Sequence, residues 1–208
     1  MHTAAVQEKK SDSTKSGPKF GVDSNLVSRE VFEKKYLNRE DGYKYEWVDG
    51  VVEKTKRTMD RKQIFILINL LESFDLLRAE GKVFGRLLSE VDLIFLDKYR
   101  RPDIAWLTKE QAYNLAEDSA RDVPAFVIEV ISSNDQINRL KKKMVNYKDA
   151  GVQVVWHIFP EVQQVDVYGG PNLSQMTTHV GDEICTAAPV LPDFAISVND
   201  IFKKTQPA

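Results

Sequence analysis

The chain has 208 residues, 29 Lys and Arg against 31 Asp and Glu, a formal net charge of -2 and 42% hydrophobic residues. That length suits one domain of roughly 150–200 residues with an appendage, and the apolar content excludes disorder throughout. One cysteine, Cys185, and three histidines exclude an internal disulfide, a zinc finger and a Cys-rich metal scaffold, and point to a reducing, cytoplasmic location.

No apolar run approaches the roughly 20 residues that a membrane span needs. Residues 1–28 carry no apolar signal core, which argues against secretion. Near-neutral charge argues against a basic, non-specific nucleic-acid binder but leaves room for a local basic channel.

Residues 1–24 are small and polar and read as a flexible tail, since they bury too little to offset their ordering entropy. A single α/β (α+β) domain is expected over residues 25–204, with a frayed C-terminus at 205–208. Ser28 to Tyr36 predicts a short helix, and Asp49-Gly50 predicts a hairpin turn between Tyr43–Trp47 and Val51–Lys54. Asp60 reads as an N-cap for a helix whose apolar stripe is Ile64, Leu67, Ile68, Leu71, Phe74 and Leu77, ended by Gly81. Strands are predicted at Val83–Leu88, Val91–Leu96 and Asp103–Leu107, then a short helix over Lys109–Glu117. Ala125 to Ile131 is a nearly unbroken apolar run, the mark of a central strand covered on both faces. A helix follows over Ile137–Ala150 with Gly151 at its cap. Val152–Phe159 and Gln164–Tyr168 are strands, and one or two weaker strands fall between Ser174 and Thr186. Helices flanking a sheet give the expected architecture.

Three residues stand out against this frame. Glu129 interrupts the central apolar run and shares a strand face with Val127 and Ile131. A carboxylate there needs a compensating cation, lysine or backbone donors, or else it reaches water at the strand end. Asp103 follows Pro102 at the entry to a strand, a position that also suits an ordinary turn aspartate. Lys143 lies on the helical stripe Leu140, Lys143, Met144, Tyr147, while Lys141 and Lys142 fall off it. Such a lysine either snorkels to water or pairs with a buried carboxylate, and a short loop brings its helix back over the strand of Glu129. Two carboxylates offer hard oxygen ligands for Mg²⁺ or Mn²⁺. A nearby ammonium can stabilise charge in a phosphoryl transition state or orient a water.

At these residues the sequence resembles the PD-(D/E)XK, restriction-endonuclease-like superfamily, and more narrowly the Uma-type (Uma two) family. The matching text is Arg101-Pro102-Asp103-Ile104-Ala105, then Val127-Ile128-Glu129-Val130-Ile131-Ser132, then Asn138-Arg139, Lys143, Tyr147 and Gly151-Val152. It continues in Val155-Trp156-His157-Ile158 and Val165-Asp166-Val167-Tyr168, and upstream in the hairpin Tyr45-Glu46-Trp47-Val48-Asp49-Gly50. The resemblance implies a mixed central sheet flanked by helices with an N-terminal hairpin, a divalent metal (Mg or Mn), and hydrolysis of nucleic acid, DNA in the first place. It makes Asp103 and Glu129 metal ligands and Glu46 a further acidic residue of the site. The superfamily lysine two residues after the glutamate is replaced by Ile131; in this family it is placed on the following helix, where Lys143 stands. Relatives often carry a histidine near Asp60-Arg61-Lys62-Gln63, which this chain lacks.

Arg100-Arg101 and Lys54-Thr55-Lys56-Arg57 are either phosphate contacts or solvated charges. Asp92 reads as a satisfied strand polar group, His157 as a core or edge histidine, and Trp47, Trp106 and Trp156 as core. A metal-dependent nuclease acting on DNA, with no membrane segment, is the leading expectation, and a homodimer is open to it because restriction-type enzymes often cut as dimers. The alternatives are a catalytically inactive nuclease-fold module that binds nucleic acid or protein, suggested by Ile131, and a dimeric scaffold.

Overall fold

The computed structural model describes residues 26–56, 61–117, 122–132 and 137–204. The two tails, the Asp60 cap, Arg57, and the side chains of Lys56, Arg61 and Lys62 lie outside what it describes.

A short helix α1 (Arg29–Phe32), capped by the Ser28 hydroxyl accepting the Val31 N–H, runs on into a π-helical turn at Glu33–Leu37. The hairpin follows as β1 (Tyr43–Val48) and β2 (Val51–Lys56). Its register pairs Val48 with Val51, and Asp49 and Gly50 both take positive φ, 50° and 85°, the geometry of a type I′ turn. Helix α2 (Arg61–Ala79) comes next. Four short strands follow: β3 (Arg86–Ser89), β4 (Leu93–Phe95), β5 (Lys98–Arg100) and β6 (Ile104–Leu107). Helix α3 (Lys109–Ala116) is closed by a Thr108/Gln111 capping box. Then come β7 (Phe126–Val130), α4 (Ile137–Ala150), β8 (Val154–Phe159) and β9 (Gln164–Gly169). The chain ends in β10 (Gln175–Val180), β11 (Ile184–Ala187), β12 (Leu191–Ser197) and α5 (Val198–Phe202).

The main sheet has the order β10-β9-β8-β7-β6-β3. Its one parallel pair is β7 with β8, joined by α4 as a β-α-β crossover, and the other pairs are antiparallel. A second, antiparallel sheet runs β2-β1-β5-β4, and β11 pairs with β12. This mixed α+β fold with an N-terminal hairpin is the expected class. Two departures stand out. The strand expected at Val91–Leu96 breaks at Leu96 and Asp97, whose φ of 49° and 54° turn the chain back into β5 without a glycine. The stripe of α2 that is buried is Ile66, Leu70 and Phe74, with Leu67, Leu71 and Leu77 half-buried, while Ile64 and Ile68 face outward. Ile64 to Ile68 is an unbroken apolar run, so periodicity alone does not single out the inner face.

The two faces of β7 pack differently. Phe126 and Ile128 enter the large apolar core with α2, Trp156 and Phe194. Val127 enters a smaller cluster with Ala105, Val155, Tyr147 and Phe95. Gly151, at φ 92°, closes α4 in a Schellman arrangement: the Val152 N–H reaches the Tyr147 carbonyl and the Gly151 N–H the Lys148 carbonyl. That cap fixes where the helix stops and so where Lys143 sits over β7.

Candidate active site

Alternation along β7 points Glu129 to the face covered by α4, where burial without partners would be costly. It has partners. The Lys143 ammonium lies 2.7 Å from Glu129 Oε1 and 3.3 Å from Glu46 Oε1. The Tyr147 hydroxyl, one turn further along α4, donates a short hydrogen bond to the same Glu129 oxygen. Glu129 is 4% exposed and Lys143 8%, so pairing, not snorkelling, describes this lysine.

Asp103 stands just before β6. Its Oδ2 accepts the Val130 N–H at 2.7 Å, which ties it to the residue after Glu129. Its Oδ1 meets the Lys44 ammonium at 2.8 Å. Glu46 comes from β1, where its Oε1 accepts the Arg101 N–H at 2.8 Å and its Oε2 faces Arg100 at 3.4 Å. Asp103, Glu129, Lys143 and Glu46 therefore line one pocket, with about 130 Å³ of free volume at the carboxyl end of β7; Lys44 and Arg139 share the wall.

The electrostatics follow from this crowding. Burial alone would raise the Glu46 carboxyl, but Lys143, Lys44 and Arg100 hold it down at about 2. Burial also works against Asp103, and Lys44, Lys143 and the Val130 N–H keep its carboxyl below the ordinary aspartate range. Glu129 goes the other way: burial, with Asp103 and Glu46 nearby, raises its carboxyl despite Lys143 and Lys44. Burial and Glu129 push the Tyr147 hydroxyl well up, so it remains a donor. Burial would strip the Lys44 proton, yet Asp103, Glu129 and Glu46 more than offset it and keep the ammonium charged.

The donor set suits a hard divalent cation. Glu129 on β7 and Asp103 at the entry to the adjoining β6 offer carboxylate oxygens in one pocket, and Mg²⁺ and Mn²⁺ take such ligands while keeping waters. Among the described residues no three His, Cys, Asp or Glu side chains form a ready cage.

Arg100 and Arg101 are not free to meet phosphate. Arg100 is 1% exposed and held by Glu46, Glu53 and Asn146; Arg101 is buried against Asp92. Asp92 thus earns its place as the partner of Arg101. Lys54 is exposed, its ammonium over the Tyr43 ring at 3.6 Å. His157 is buried in β8 beside Tyr168, and Ile131 is buried, so no cation stands there. Trp106 and Trp156 are core, while Trp47 is half-buried with its N–H on the Val27 carbonyl.

Sequence reasoning missed Lys44, and it missed the buried role of Arg100. One signal was available: Lys44 and Glu46 are two apart on a predicted strand and so share a face. Arg100 was noticed only with Arg101, as a phosphate contact or a solvated charge, and nothing in the sequence signalled its burial against Glu46 and Glu53.

In fold, the chain is similar to a solved structure from Anabaena variabilis ATCC 29413, titled a putative nuclease belonging to DUF820. The TM-score is 0.68 at 19% identity, over 83% of this chain and 96% of that one. No match is found among curated proteins. Among the described residues no helix is long and apolar enough to cross a membrane. Residues 30–199 match the Uma2 family, described as "Putative restriction endonuclease", and the chain belongs to that family.

Proposed function

We propose that this protein is a metal-dependent endonuclease that hydrolyses phosphodiester bonds of DNA. The observation that carries this reading is the Lys143 ammonium bridging Glu129 and Glu46, in the same pocket as Asp103. Asp103 and Glu129 would hold Mg²⁺ or Mn²⁺. When bound, such an ion supplies Lewis-acid activation of a phosphoryl oxygen and of water.

The protein's own groups do the rest. The Val130 N–H fixes the Asp103 carboxylate, and the Tyr147 hydroxyl fixes that of Glu129. Glu46 holds the Lys143 ammonium from its second side, and Arg100 with the Arg101 N–H holds Glu46. A pre-set ammonium of this kind stabilises negative charge as it builds on phosphoryl oxygens, with little reorganisation. The superfamily lysine role thus falls to Lys143, with Ile131 left as a core residue. One such site cuts one strand at a time, so cutting through a duplex calls for two copies, and a homodimer belongs to the proposal. A reducing cytoplasm suits the buried, unpaired Cys185.

The test is cleavage of supercoiled and linear DNA over a Mg²⁺ and Mn²⁺ titration. Wild type should cut only with the metal, and Asp103→Asn and Glu129→Gln should lose at least about a thousandfold in rate while remaining folded. Undiminished cleavage in both variants rejects the assignment. Salt-sensitive DNA binding without cleavage at any metal concentration would favour the inactive module instead.

A further inference from the structure

The carboxylates of the cluster already carry cations of the protein's own. Among the described residues, Glu46, Glu53, Asp103 and Glu129 are paired with Lys44, Arg100, Arg139 and Lys143. Glu90 lines the same pocket, so five acids meet four bases. A divalent cation added against Asp103 and Glu129 turns a surplus of one negative charge into a surplus of one positive charge where water screens poorly, and it meets the ammonium groups already seated on those carboxylates. A resident cation must give way.

Among the described residues Arg139 pairs with Glu53 and with neither Asp103 nor Glu129, and the other three cations are held unequally. Arg100 is fully buried and anchored by Glu46, Glu53 and Asn146. Lys143 is gripped by two carboxylates. Among the described residues Lys44 makes one ion pair, to Asp103 at 2.8 Å, on a flexible four-carbon stem that lines the pocket. Its partner is also the most open of the three acids: the Asp103 side chain is 30% exposed, against 3% for Glu46 and 5% for Glu129.

We propose that Lys44 is a resident counter-cation of the site: its ammonium occupies Asp103 until a divalent ion arrives, then leaves, so that Lys44 sets the metal affinity. This rests on the nuclease reading through the assignment of Asp103 and Glu129 as ligands. It also gives Lys44 a role in the metal-free protein, where it keeps Asp103 from standing as an uncompensated charge beside Glu129.

The test is Mn²⁺ binding, read from the paramagnetic resonance of the free ion, in wild type, Lys44→Met and Lys44→Gln. Both variants should bind Mn²⁺ at least about tenfold more tightly. In wild type, saturating Mn²⁺ should raise the labelling of Lys44 by trinitrobenzenesulfonate several-fold, measured by peptide mass spectrometry. Equal or weaker affinity in the variants, or Lys44 labelling that stays flat or falls, overturns the inference. Should neither variant fold, the labelling of wild type decides alone. If the proteins bind Mn²⁺ equally, only the role of Lys44 fails. If none binds it, the ligand assignment fails and this inference with it.

Discussion

On β7, Ile128 and Glu129 are consecutive and almost equally buried, 0% and 4% exposed, yet their surroundings are opposite. Ile128 lies in a core of Phe126, Trp156, Phe194 and the inner residues of α2. Glu129 lies among Lys143, Tyr147, Lys44, Asp103 and Glu46. The first face gains stability from each apolar group removed from water. The second gains little from its ion pairs, because desolvation offsets most of the attraction. A buried charged cluster that a fold tolerates without profit in stability is a mark of a functional site. The comparison teaches that one strand can hold a fold with one side and present chemistry with the other, since adjacent side chains point opposite ways.

Three experiments press on this contrast, from the largest effect to the smallest. Phe126→Ala, on the apolar face, should cost about 3–5 kcal/mol of unfolding free energy by urea melts; a loss no greater than that of a surface substitution would mean that this face is not the stabilising one. His157 probes the boundary, since β8 pairs it with Glu129. Burial, with Lys143 adding repulsion, lowers its imidazole to about 4. Its folded value lies below the unfolded one near 6.5, so stability is fully present above that pH and is lost as pH falls toward 4. The loss should be about 3 kcal/mol. His157→Phe should flatten that part of the pH profile, and an unchanged profile would show that His157 is not responsible. Gly151→Ala, at a φ of 92°, should cost about 1 kcal/mol by strain at the α4 cap. Melting temperature checks it, and no loss would show that the cap does not position α4.

Much of the fold was legible in the chain. Asp49-Gly50 announced its hairpin, and the run from Ala125 marked the central strand. Strand β5 was not legible, because Leu96 and Asp97 turn with positive φ and no glycine; tertiary packing there overrides local preference. Strand β12 was hidden by Pro192 and Asp193, which break its alternation. Of the site, Glu129 and Lys143 were readable as charges on apolar faces, and the structure brings them to 2.7 Å. Lys44 and Arg100 were not, because whether a basic side chain is solvated or buried depends on partners 59 and 54 residues away. Periodicity reports a face; it does not report what another strand brings to it.

The central claim is that the charged face performs the reaction and the apolar face only carries it. Its most direct measurement is the metal-dependent DNA cleavage rate per folded molecule for Glu129→Gln beside Ile128→Ala. The account predicts that Glu129→Gln is folded and inactive, while Ile128→Ala is less stable but cleaves at nearly the wild-type rate. Cleavage retained by Glu129→Gln would contradict it.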